Sequence, residues 1–450
     1  MNPNIFREYD IRGVVDTEIT DADVVTLGKA IGTYMAEKGV KRITLGRDCR
    51  LSADRYRDLL CQGLMSTGIM IMDIGVVTTP VLYFSVFHFQ ADGGVMITAS
   101  HNPGAYNGFK VMIGKTTIYG AEIQKLYQIA EAGQFAQGAG SREEVDAITP
   151  YSDYLVEHIN ISRPLKIAVD GGNGTSGPIA LPIMQRLGIE VVPLYCDMDG
   201  TFPNHEPDPT VPANLSDLIA TVTEQGLEAG VAFDGDCDRV GVVDEKGQII
   251  FGDMLLAIFA RSIVKDNPGA LFIGEVKCSK NLYDDIEKHG GKALMWRTGH
   301  SLIKQKMAET GALLAGEMSG HMFFKHRWFG FDDGIYAALR FCELLADSHE
   351  PLSTWLADMP PVVSTPEIRV ECGDDIKFAV VDAVKEQLSP DYEVIGVDGV
   401  RVNFPDGWGL VRASNTQPAL VLRFEAQSEA RLEEIRALVE GAVKKARDAL

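Results

Sequence analysis

Gly94-Val95-Met96-Ile97-Thr98-Ala99-Ser100-His101-Asn102-Pro103 is a short apolar strand that runs straight into a polar loop. An uncharged run of this kind reads as a strand buried on both faces, the signature of α/β sheets. Pro103 lacks an amide hydrogen and disfavours helical geometry at Asn102, so no strand or regular helix continues through Ser100. The loop therefore presents the Ser100 hydroxyl, and Tyr106-Asn107-Gly108-Phe109-Lys110 brings a cation back towards it. On these residues alone, Ser100 reads either as a nucleophile or as one member of a polar loop.

The pattern repeats outward from this point. Arg42 to Gly46 and Met70 to Asp73 read as strands around a helix near 53–67; Leu165 to Val169 and Ala229 to Phe233 read as strands around a helix from Leu215 to about Gln225. Leu271 to Gly274, Leu294 to Trp296 and Leu313 to Ala315 follow, each ending in a polar loop. Alternating short strands and amphipathic segments predict α/β domains, with the chemistry at the carboxyl ends of the strands. Pro360-Pro361 marks a change of build, after which a strand at Glu367 to Val370, a helix to about Leu388, further strands and a closing helix predict an α+β module. In that last helix Leu432, Ile435, Leu438, Val439 and Val443 recur at helical spacing, a core face. The predicted architecture is three consecutive α/β domains of similar build (1–145, 146–250, 251–362) and a smaller α+β domain (363–450), arranged around a central cleft.

Composition narrows the functional classes. At 450 residues the chain is too long for a single core. A formal net charge of −21 repels polyanions and argues against nucleic-acid binding. A small anionic ligand would require Arg and Lys to converge locally against that field. The chain opens without a basic segment followed by an apolar one, and no run is long and apolar enough for a membrane span, so neither export nor membrane insertion is expected. The seven cysteines stand far apart and are odd in number, which suits reduced thiols in a cytoplasm.

Asp234-Gly235-Asp236-Cys237-Asp238-Arg239 follows a buried strand directly. If the segment is extended, alternate side chains share a face, and the three carboxylates converge on a cation. A solvated turn and a calcium loop are the other readings. Glu245 does fall at the twelfth position of a calcium loop counted from Asp234, but Arg239 stands at the sixth, where the sharp turn needs glycine. A hard divalent cation fits best, with magnesium ahead of calcium. Arg412-Ala413-Ser414-Asn415-Thr416-Gln417-Pro418 offers many donors and little negative charge, as a phosphate requires, and reads equally as a polar turn.

Taken in order, Phe6 to Gly13, the Ser100 loop, the three-aspartate loop, Gly316-Glu317-Met318-Ser319-Gly320-His321 and Arg412 to Pro418 resemble the α-D-phosphohexomutase family along essentially the whole chain. The form of the fourth and fifth motifs is similar to its phosphomannomutase/phosphoglucomutase branch. The resemblance implies interconversion of hexose 1-phosphate and hexose 6-phosphate, of mannose and/or glucose, through a phosphoserine enzyme and a hexose 1,6-bisphosphate. Phosphoglucosamine mutase is the alternative within the family, and a phosphoserine-type sugar phosphatase is the alternative of another class.

By the same resemblance Ser100 carries the phosphoryl group and, with Asp234, Asp236 and Asp238, holds magnesium. Arg12 and Lys110 flank the transferring group, Lys110 as base on the sugar hydroxyl, while His321 and His101 join the catalytic set. Tyr9, Lys277, Gly299 and His300 line the cleft, and Arg239 steadies the metal loop or the serine phosphate. Glu317 and Ser319 bind sugar hydroxyls, and Arg412, Ser414, Asn415 and Thr416 hold the non-reacting phosphate. Residue types alone leave Tyr9 readable as interface packing and His300 as a cap of a helix starting at Ser301. Glucose 1,6-bisphosphate is the implied activator, and a cytoplasmic monomer or weak oligomer acting on small hexose phosphates is the implied setting.

Overall fold

The apolar runs pair as parallel strands. Gly93–Ile97, buried throughout, lies parallel to Arg42–Arg47, which is parallel in turn to Met70–Val76. Two antiparallel strands extend this sheet on the other side: Tyr106–Ile113 beside Gly93–Ile97, then Ile11–Val14. The computed structural model describes residues 1–414 and 418–450. Helices cover the sheet and begin where the sequence supplies caps. Asp21–Glu37 starts in a capping box, with Thr20 and Asp23 each accepting from the other's backbone amide. The helix expected near 53–67 is Ala53–Ser66.

The second sheet has the parallel core Ala229–Phe233, Leu165–Asp170 and Ile189–Leu194, bordered by antiparallel Val240–Asp244. The turn after Leu165–Asp170 leads into helix Gly177–Arg186; in it Asp170 Oδ1 accepts from Gly172 N at 2.9 Å. Both sheets belong to one compact unit, Met1–Leu255 with Ser319–Trp355.

Leu256–Met318 and Leu356–Leu450 form the other unit. Here Leu271–Glu275 lies between parallel Lys292–Trp296 and Leu314–Gly316. The C-terminal sheet is antiparallel and carries helices Lys377–Leu388 and Glu429–Ala449. Leu432, Ile435, Val439 and Val443 of the last helix are buried, and Leu438 packs against the same core. The architecture is three α/β sheets and a smaller α+β module, as the sequence predicts. Within this unit Arg401 stacks on Trp408, its guanidinium 3.8 Å from the ring centre, and donates to Val276 O at 2.6 Å and Cys278 O at 2.7 Å. The C-terminal sheet is thereby anchored to the loop that follows Leu271–Glu275. Among the described residues, no helix is long and apolar enough to cross a membrane.

Candidate active site

Ser100 follows the buried strand at once and adopts a left-handed backbone, φ 51°. Contrary to an exposed loop, Ser100 is only 2% exposed. The loop of 234–239 covers it, and Ser100 Oγ donates to Asp234 Oδ2 at 2.8 Å. Gly235 permits that approach, since a Cβ there would lie 2.5 Å from Ser100 O. His101 Nδ1 is 3.1 Å from Ser100 Oγ. Burial first, then the charges of Arg239 and Arg12, push the His101 imidazole well below its usual range.

The three aspartates do converge, but not by strand alternation. The segment is a turn, with Cys237 at φ 66° and Cys237 N bonded to Asp234 O at 3.0 Å. Left-handed geometry at one residue turns the chain back and brings Asp234, Asp236 and Asp238 onto one side. Each offers a carboxylate oxygen within 4.8 Å of the others, all three buried. Asp236 Oδ1 is buried and accepts no hydrogen bond among the described residues. This all-oxygen, buried set, with Asp236 Oδ1 and Asp238 Oδ1 left without a hydrogen bond among the described residues and the Ser100 oxygen beside it, fits a hard divalent cation.

Lys110, on Tyr106–Ile113, reaches the same carboxylates, at 2.7 Å from Asp236 Oδ2 and 2.6 Å from Asp238 Oδ2. Burial disfavours its charge, but Asp236 and Asp238 outweigh burial and raise the ammonium well above its usual range. In this arrangement Lys110 is the counter-charge of Asp236 and Asp238. Burial, then Asp238 and Asp236, raise Asp234, whereas Lys110 and His321 overcome burial and hold Asp238 low. Thr79 Oγ1 donates to Asp236 Oδ2 at 2.6 Å from the first turn of helix Thr79–His88.

Arg12 donates to Asn102 Oδ1 at 2.6 Å and pairs with Asp10. Arg239 N donates to Asp234 Oδ1 at 3.1 Å, and its Nε lies 3.3 Å from His321 Nε2. His321 Nε2 is also 3.2 Å from Asp238 Oδ1, and Ser319 Oγ is 3.0 Å from His321 Nδ1. Tyr9 is partly exposed. The first unit thus brings Ser100, Lys110, Arg12 and the aspartate loop together, with His321 against that loop and Ser319 against His321.

In the second unit Lys277 donates to Glu367 Oε1 at 2.6 Å and lies 3.7 Å from Glu275 Oε1. Gly299, at φ 129°, takes a conformation reserved for glycine and donates to Glu317 Oε1 at 2.7 Å. Gly299 is also the N-cap of helix His300–Thr310, so buried His300 is the first residue of that helix and not its cap. Asp398 Oδ2 accepts from Arg412 Nε and from Thr298 N, both at 3.1 Å. Ser414 O accepts from Lys377 Nζ at 2.6 Å. Asn415 and Thr416 lie outside the described residues. Glu275, Glu367 and Asp398 were not singled out in the sequence. The signal for them was the acidic balance itself, since cations gathered in such a chain need carboxylate partners.

A buried hydroxyl bonded to a cation-ready carboxylate set, on α/β sheets, is equipment for phosphoryl transfer, where positioning and charge neutralisation do most of the catalysis. Phosphoglucomutase/phosphomannomutase α/β/α domains I, II and III match residues 3–137, 146–247 and 251–363, and the C-terminal domain of that family matches 367–442. The chain belongs to this family, the α-D-phosphohexomutases. It is 48% identical over 442 residues to a phosphomannomutase/phosphoglucomutase of Pseudomonas aeruginosa, spanning 98% of this chain and 96% of the relative. It is also 48% identical over 437 residues to a phosphoglucomutase of Neisseria gonorrhoeae, 96% of this chain and 95% of the relative. A crystal structure of a phosphoglucomutase/phosphomannomutase family protein from Burkholderia thailandensis superposes with TM-score 0.94 at 44% identity, covering 99% and 98% of the two chains. The chain is a hexose phosphate mutase and so an isomerase.

Proposed function

We propose that this mutase exchanges the phosphoryl group of Ser100 with mannose and glucose phosphates, by way of a hexose 1,6-bisphosphate. The observation that carries the reading is the 2.8 Å bond between Ser100 Oγ and Asp234, inside the convergent carboxylates. In the first transfer the Ser100 Oγ–P bond breaks as a bond forms from phosphorus to the free sugar hydroxyl, whose proton His321 takes up; in the second, the bond from the other phosphate to its sugar oxygen breaks as that phosphate returns to Ser100 and the sugar oxygen regains a proton. Asp234, Asp236 and Asp238, with the Ser100 oxygen, would hold magnesium. When bound, that cation supplies charge neutralisation at the serine oxygen as it leaves. Arg12 and Lys110 bring positive charge to the transferring group, Arg239 orders the aspartate loop through its amide, and the uncharged His101 ring is placed to exchange a proton with Ser100 Oγ. Glu317 and Ser319 bind ring hydroxyls; Arg412 and Ser414, with Asn415 and Thr416, take the non-reacting phosphate; Tyr9, Lys277, Gly299 and His300 line the cleft. Glucose 1,6-bisphosphate acts as activator by restoring the phosphoserine.

The test compares mannose, glucose and glucosamine 1-phosphates with a trace of glucose 1,6-bisphosphate, alongside intact-mass measurement of the native protein and Ser100→Ala. Isomerisation of the first two sugars, one phosphate mapped to Ser100 and an inert variant are expected. Release of inorganic phosphate as the main product, or a preference for glucosamine 1-phosphate, overturns the reading.

A further inference from the structure

The five N–H donors of Arg50 are all accounted for around the nucleophile loop. Nη1 donates to Pro103 O at 2.7 Å and Tyr106 O at 3.0 Å; Nη2 donates to Ser100 O at 2.8 Å and Asn102 O at 2.5 Å. Nε donates to Asp48 Oδ2 at 3.1 Å, and Asp48 Oδ1 accepts from Arg50 N at 3.0 Å. A guanidinium has five N–H donors in a fixed fork, so this set saturates it. The side chain is 0% exposed, and the Phe202 ring lies 5.1 Å from its central carbon. Four of its donors are spent on main-chain carbonyls and the fifth on the Asp48 carboxylate.

The four carbonyls belong to the stretch in which Ser100 holds its left-handed backbone and Pro103 ends the turn. A serine stays in that conformation only where its surroundings over-determine it. We infer that Arg50, oriented by Asp48, is a positioning residue for phosphoryl transfer: it clamps the backbone of the Ser100 loop so that the serine oxygen faces the aspartate set. The inference rests on Ser100 as the phosphoryl carrier. Lysine cannot replace the clamp, because an ammonium has three donors and no fork.

The test uses the full chain, native and as Arg50→Lys and Arg50→Met, with magnesium present. Single-turnover phosphorylation by glucose 1,6-bisphosphate is followed by intact mass, and affinities for magnesium and for glucose 1-phosphate by calorimetry. A nucleophile displaced by about an ångström reacts roughly 100-fold more slowly. We expect a loss of that order in both variants, with binding of magnesium and sugar phosphate within about threefold of native, and partial return of the rate in Arg50→Met when guanidinium ion is added. Native-rate phosphorylation of Arg50→Met overturns the inference, as does a parallel loss of rate, both affinities and thermal midpoint in Arg50→Lys, which marks a general structural role. A phosphate on native protein that maps away from Ser100 overturns the phosphoserine reading itself, and the clamp with it.

Discussion

Lys110→Met isolates what the buried ammonium does. The Lys110, Asp236 and Asp238 side chains are 4%, 0% and 1% exposed, and the ammonium bonds both carboxylates. Methionine keeps the stem volume and removes the charge. Asp236 and Asp238 then share a dry site with Asp234 and lose the one cation bonded to them both. Breaking a buried ion pair from one side costs roughly 3–5 kcal/mol, because a charge is left uncompensated. At roughly 2 °C per kcal/mol for a unit of this size, the thermal midpoint of the first unit should fall by about 6–10 °C in chelator. Magnesium replaces the missing charge and binds only the folded set; at 100 times its dissociation constant it stabilises by about 2.7 kcal/mol, so the deficit should shrink. Scanning calorimetry of native and variant protein, in chelator and in excess magnesium, reads both effects. A chelator midpoint within about 2 °C of native, or equal deficits with and without magnesium, would refute the charge-compensation argument.

Glu317→Ala should lower kcat/KM for mannose and glucose 1-phosphates alike, since it removes both the proposed hydroxyl partner and the acceptor of Gly299 N; steady-state rates that differ between the sugars by more than about tenfold would count against this. Arg401→Met should destabilise the second unit by roughly 2–4 kcal/mol, because it leaves two buried carbonyls without their donor and removes the nearer of the two guanidinium groups over Trp408, an effect visible in its thermal transition. Acid should weaken the same unit. The Lys277 charge first, against burial, holds Glu367 down at about 2 from an ordinary 4.5. A depressed folded value gives stability that is present above pH 4.5 and lost as pH falls towards 2, at most about 3 kcal/mol, and acid titration of Glu367→Gln should show that slope flattened.

The strand before Ser100 was readable because an uncharged run has few places to go except a doubly covered sheet, and the last helix because its stripe has the period of a helix. The aspartate set was readable as a set but not as a shape: a left-handed residue inside it leaves no mark when that residue is Cys237. Burial of Ser100 was hidden for a different reason, since the loop that covers it comes 134 positions later. Arg50 escaped notice because four of its five donors go to main-chain carbonyls, which every residue has. Glu367 meets Lys277 across 90 positions, and no local pattern links the two.

Ser100, Cys237 and Asn173 all hold left-handed backbones without being glycine, at φ 51°, 66° and 57°. Each conformation costs a side-chain-bearing residue about 1 kcal/mol or more that glycine would not incur. A laboratory evolution campaign scored on heat tolerance alone would therefore reward replacement of the nucleophile and of its covering turn by glycine, enriching robust and inert proteins. Screens on this scaffold need turnover in the score from the first round.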